Sequence, residues 1–105
     1  MERILILAAA SRYADLADMV ESAVKRADLS RRLTFGLVLE QEPDEEESAR
    51  MGQAPGARFI LDSCAPRYAF PIFWQGEGNV LLGHPDMRFT RGWDRQLTHI
   101  HAVLP

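Results

Sequence analysis

The sequence predicts an α/β fold: a small, open, mostly parallel sheet, ordered 3-2-1-4, with flanking helices. Three observations lead there. Short continuous apolar runs recur along the chain, which is how strands buried on both faces read. Between the first two runs the apolar period lengthens to that of a helix. Apolar runs that alternate with helical patterns imply parallel pairing through right-handed crossovers. At 105 residues the chain is expected to form a single domain, residues 1–105.

The first run, "RILILAA" at 3–9, is rich in branched residues and predicts a buried strand. From Ala14, the residues Leu16, Met19, Val20, Ala23, Val24 and Ala27 form one apolar helical face. Asp15, Asp18 and Glu21 lie early in that helix and Lys25 and Arg26 late, which suits the helix dipole. "RLTFGLVLE", 32–40, is a second strand. The acidic stretch that follows carries Pro43, Gly52, Pro55 and Gly56, and reads as a solvated surface loop with one helical turn around 45–51. "ARFILD", 57–62, is a third strand. In "SCAPRYAFPIFWQGEG" the bulk is helical but Pro71 interrupts any helix interior, so a kinked, short or irregular segment is expected. "NVLLG", 79–83, is a fourth strand, and "RGWDRQLTHIHAVL" a closing helix.

Composition narrows the function classes. Twelve basic residues against fifteen acidic ones leave a formal charge of −3, which gives no electrostatic case for a nucleic-acid or membrane-surface partner. The longest apolar runs are far too short to span a bilayer. The N-terminus lacks the apolar region and cleavage site of a signal peptide. A single cysteine, Cys64, excludes an internal disulfide, and a cytoplasmic location is the expectation.

In a sheet of this order, ligands bind beyond the carboxyl ends of the strands, near the point where the order reverses. Three segments should therefore flank one crevice: Ala9 to Tyr13, Glu40 to Glu42, and Gly83 to Arg88.

Three stretches carry a resemblance. "LILAAASRYADL", "RRLTFGLVLEQEPDEE" and "QGEGNVLLGHPDMRFTRGWDRQL" resemble the nucleotide-binding half of a GT-A-type glycosyltransferase. The branch is that of the cytoplasmic hydroxyproline N-acetylglucosaminyltransferases and their bacterial relatives. The third stretch is the most specific: a Gly-Glu precedes a strand, a metal-binding triplet follows it, then Met-Arg-Phe and Gly-Trp-Asp. The resemblance implies a GT-A-like nucleotide-sugar-binding domain, truncated, because a complete catalytic domain is about twice this size or more. The acceptor-binding half and the usual catalytic base would lie beyond Pro105, so the catalytic residues stay unassigned. It also implies a UDP-sugar as ligand and Mn²⁺ or Mg²⁺ as cofactor, with the metal neutralising the leaving diphosphate. The triplet departs from the family: Asp-x-Asp or Asp-Ser-His is usual, and His84-Pro85-Asp86 stands here. Carboxylate suits both ions, and imidazole tolerates manganese better than magnesium.

Each candidate residue has a plainer reading beside the functional one. His84 and Asp86 are either metal ligands or a polar turn at a strand end. Arg12 would pair with phosphate and Tyr13 pack on a base, or Ser11 caps the helix and Tyr13 covers its first turn. Glu40 and Gln41 would bond a uracil edge, or are ordinary loop polarity. Arg67 would reach the diphosphate, or is a surface arginine. Trp93 is expected as a core anchor and Asp94 as a residue at a helix start. His99 and His101, two apart on a helix, diverge and make a poor metal pair. Cys64 has no activating partner and is expected to be a small buried residue. Two functions remain open. One is a nucleotide-sugar-dependent glycosyltransferase that acts on an acceptor hydroxyl. The other is an inactive GT-A-like remnant that acts as a binding or homo-oligomerising module.

Overall fold

The computed structural model describes residues 3–54 and 56–96. Four parallel strands form one sheet in the order β3-β2-β1-β4: β1 Ile4–Ala10, β2 Leu33–Leu39, β3 Ala57–Leu61 and β4 Asn79–Leu82. This is the predicted fold and strand order. β1 and β2 pair over seven positions, Ile4 with Leu33 through Ala10 with Leu39. β4 matches only the first four residues of β1, ending at Leu7 with Leu82. The two inner strands are buried almost throughout, whereas β3 and β4 alternate. That contrast explains why the inner strands read as unbroken apolar runs.

Helix α1, Tyr13–Arg26, lies on one face and buries Leu16, Ala17, Met19, Val20 and Ala23 against Ile4, Ile6, Ala8, Phe35 and Leu37. It starts one residue earlier than the apolar spacing predicts, so Tyr13 becomes its first residue and turns into the core. Beside it stands α2, Glu45–Met51, where one helical turn was expected. Arg50 clamps the two helices with a bidentate pair of 2.9 Å hydrogen bonds from Nε and Nη2 to Glu21. Next to α1 on its other side runs the segment after β4. Phe89 N–H donates to Ser22 Oγ at 2.9 Å, and Trp93 Nε1 donates to the carbonyl of Ala23 at 2.9 Å.

The second face is covered by a 3₁₀ turn, Pro66–Ala69, running into the short helix α3, Phe70–Phe73. This is the kinked segment that Pro71 demands. Phe73 and Ala69 cover Leu5, Leu7 and Val38. Gly36 makes the contact possible, because a Cβ there would overlap the Cβ and ring of Phe73.

The predicted closing helix begins with a helical turn at 93–96, and its remainder, with His99 and His101, lies outside the described residues. Trp93 is the expected core anchor. Asp94 does more than start a helix. It is wholly buried and accepts hydrogen bonds from the backbone N–H groups of Asp28 at 2.8 Å and Leu29 at 3.0 Å, with the Arg32 guanidinium 3.4 Å away. Among the described residues no helix is long and apolar enough to cross a membrane.

Candidate functional site

The carboxyl ends of β1, β2 and β3 enclose a cleft of about 180 Å³. Ala9, Ala10 and Ser11 form one wall, Val38 and Glu40 the floor, and Asp62, Ser63 and Cys64 the other wall. Its shape is set by the ladder running past the strand ends. The carbonyl of Ser11 accepts from the N–H groups of Glu40 at 3.1 Å and Gln41 at 3.0 Å, and the carbonyl of Leu39 accepts from Asp62 N–H at 2.9 Å. Ser63 N–H donates to the Asp62 carboxylate and fixes its rotamer. Two carboxylates, two hydroxyls and a thiol thus ring one small opening. The ring is acidic, so it suits hydroxyl-rich or cationic groups and repels a bare phosphate.

The structure brings Ser11 and Glu40 together at this cleft, with Gln41 exposed beside them. The other predicted residues are placed elsewhere. Tyr13 is fully buried, so its ring offers no face to a base. Burial pushes its phenol up to about 12, with Glu21 adding to the rise and Arg50 opposing it. Arg67 lies over the ring of Tyr68 at 5.0 Å, donates to its hydroxyl and does not line the cleft.

Arg12, the N-cap of α1, is engaged by carboxylates. Its Nη2 lies 3.3 Å from both Asp44 and Glu47. Ser11 is therefore not the cap. The N-cap role instead draws on two acids: Asp15 accepts from Arg12 N–H at 3.4 Å, and Glu47 from Ala14 N–H at 2.8 Å. Glu47 is only 6% exposed, which corrects the reading of residues 42–47 as a solvated acidic run. Its carboxyl sits below the usual range, because the N–H groups of Asp44 and Ala14 stabilise the anion, aided by Arg12 and against the cost of burial. The sequence held a signal for this. Asp44-x-x-Glu47 is a capping-box pattern, and the box is present: Glu47 N–H donates to Asp44 at 2.8 Å and Asp44 N–H to Glu47 at 3.0 Å.

His84 and Asp86 occupy the turn directly after β4, which is closed by a 2.9 Å hydrogen bond from Met87 N–H to the His84 carbonyl. They are 69% and 94% exposed at the side chain, with Nδ1 and Oδ2 3.9 Å apart. Asp86 N–H donates to the same Nδ1 at 3.2 Å. The pair offers one imidazole and one carboxylate. Among the described residues no group of three His, Cys, Asp or Glu side chains is placed to hold a metal. Two donors, one of them an imidazole, fall short of a metal site built by the protein alone.

Glu77, the acid of the Gly-Glu that precedes β4, is buried at the opposite end of the sheet. It accepts from Thr34 Oγ1 at 2.8 Å and Gln75 N–H at 2.6 Å, so its work is structural. Against known proteins, no family model, no curated protein and no solved structure matches this chain.

Proposed function

We propose that the chain binds a nucleotide-sugar across the carboxyl edge of its sheet, as the nucleotide-binding part of a glycosyltransferase-like protein. The observation that carries this reading is the cleft outside β1, β2 and β3, with Glu40 at the end of the second strand. In parallel nucleotide-binding sheets a carboxylate near that position bonds the ribose hydroxyls. A UDP-sugar would place its nucleoside at Ser11, Glu40 and Gln41, and its diphosphate towards the turn of His84 and Asp86. The acidic cleft and the prior engagement of Arg12 and Arg67 leave the diphosphate needing a divalent cation, Mn²⁺ or Mg²⁺, at that turn. Calorimetry with UDP and UDP-GlcNAc, with and without Mn²⁺, tests this. The expected result is Mn²⁺-dependent binding, weakened about tenfold or more in Asp86→Ala. A wild-type chain that binds neither nucleotide at millimolar concentration overturns it. Sugar transfer to an acceptor hydroxyl would separate an enzyme from a binding module.

A second reading, a homo-oligomerising module, is favoured by β4. This edge strand contains no charge and no proline, and its outward Val80 and Leu82 are 43% and 52% exposed. Such an edge lacks the usual protections against strand addition. Two copies joined β4 to β4 about a two-fold axis would continue the sheet. Sedimentation equilibrium should show a dimer that Val80→Lys dissociates, and a monomer at high concentration rules it out.

A further inference from the structure

We propose that a second copy of this chain docks on the α3 side of the sheet, with α3 of each copy filling the bare strip over β4 of the other. β4 supplies one half of this surface. Its Val80 and Leu82 pair in register with Leu5 and Leu7 of β1, so all four point to the same side of the sheet. Leu5 and Leu7 are sealed there by Ala69 and Phe73. Val80 and Leu82 are left about half exposed. The reason is where α3 is seated. Phe73 lies on Gly36 of β2, and Arg58 of β3 donates to the Phe73 carbonyl at 2.8 Å, with its guanidinium 5.4 Å from the ring centre. The helix is thus anchored over the β2 and β3 half of the sheet, and among the described residues nothing seals the β4 half.

The other half is α3 itself. Phe73 faces the sheet, while Phe70, Ile72 and Trp74 are exposed. The rings of Phe70 and Trp74 meet with centroids 5.7 Å apart, and Trp74 Nε1 donates to the Glu77 carbonyl at 3.0 Å. Both rings are therefore fixed before any partner arrives, and the indole N–H is already satisfied, which lowers the entropic cost of using them as anchors. Charged residues make up 26% of the chain, yet none lies in 70–74 or in Asn79–Leu82. Interface cores are likewise poor in charge and rich in aromatic residues. A ridge beside a trough is self-complementary, because a two-fold axis sets the ridge of each copy in the trough of the other and forms the same contact twice. The exposed parts of these five side chains come to roughly 450 Å² per copy, so a pair buries about 900 Å² from them alone, close to the roughly 1,000 Å² at which specific interfaces begin. This deepens the homo-oligomeric reading, on which it rests, and puts the contact on the face of the sheet where strand addition would use its edge.

Sedimentation equilibrium with a charge-pair rescue tests the contact. The wild type should be a dimer. Ile72→Asp on the ridge and Leu82→Lys in the trough should each weaken it about tenfold or more. An equimolar mixture of the two variants should recover the dimer, because the new aspartate of one chain then meets the new lysine of the other. A wild type that stays monomeric at high concentration overturns this proposal and the homo-oligomeric reading together. A dimer that Val80→Lys dissociates but Ile72→Asp leaves intact overturns the face contact alone and leaves strand addition standing. A mixture that stays monomeric also overturns the face contact. Should either variant fail to fold, amide NMR on the wild type decides. Dilution must then shift the amides of Ile72 and Leu82 together, and an unmoved Ile72 amide overturns the proposal.

Discussion

Gly36 meets a requirement that no other residue could. It lies inside β2, where glycine normally weakens a strand, yet the Phe73 ring rests where its Cβ would be. Gly36→Ala should force the ring and α3 outward and destabilise the chain by about 2 kcal/mol, read from the urea midpoint. An unchanged midpoint would mean that Phe73 is not seated on β2. At this scale the sequence was only partly legible. The apolar face of α1 is plain in its spacing, and Tyr13, three residues before Leu16, continues that face, so its plainer reading as cover for the first turn comes nearer the buried position found than a base contact does. Glu47 was missed for another reason. A run of acids reads as solvated until one member finds donors, and those donors, Ala14 and Arg12, are distant in sequence.

At the scale of elements, the segment after β4 shows how a chain without regular structure is held. Met87 and Phe89 pack against the core, the Phe89 ring meets that of Trp93 at a tilt with centroids 4.4 Å apart, and Gly92 N–H donates to the Arg26 carbonyl at 2.7 Å. Gly92 turns there at a φ of 73°, open to glycine at little cost. Asp94 then ties the segment to the turn after α1. Asp94→Ala leaves two backbone N–H groups and the Arg32 guanidinium without that acceptor, and should cost about 3 kcal/mol in urea unfolding. A loss under half that size would show that the tie is dispensable. Helices and inner strands were readable because one face or both must be apolar. The tie was not, because a single aspartate in Gly-Trp-Asp looks the same whether it caps its own helix or a neighbouring turn.

Among the described residues of the whole molecule, three buried carboxylates shape the response to acid. Burial raises the Glu77 and Asp94 carboxyls. Hydrogen bonds outweigh it, from Gln75 and Glu77 N–H and the Thr34 hydroxyl for Glu77, and from Asp28, Leu29 and Arg95 N–H for Asp94. Arg3 and Arg32 add to the lowering of Glu77 and Asp94 respectively, and Glu47 is lowered as well. All three ionise more readily folded than unfolded. Their contribution is complete above the ordinary carboxylate range, about pH 4, and is lost as pH falls through the lower folded values. The urea midpoint should be level from neutral pH down to about 5 and drop steeply below 4. A midpoint that rises on acidification would show that these carboxylates are strained rather than held. The strand order itself was legible, because parallel strands alternating with helical patterns leave few topologies. The cleft was legible only in part: Ala10, Ser11 and Glu40 line it as expected, but its third wall is Asp62 to Cys64 after β3, where Gly83 to Arg88 after β4 was expected.

The pairing of Ile4 with Asn79 has a consequence for how the protein is made. β1 leaves a ribosome well before its partner β4, with β2 and β3 made between them. At about 5–20 residues per second, several seconds pass between them. Throughout that interval one side of "ILILAAA" has no strand beside it, and only α1 and then β2 can shield it. The nascent chain is therefore most in need of a chaperone before Asn79 emerges, and a pause in translation placed ahead of β4 should lower the yield of soluble protein.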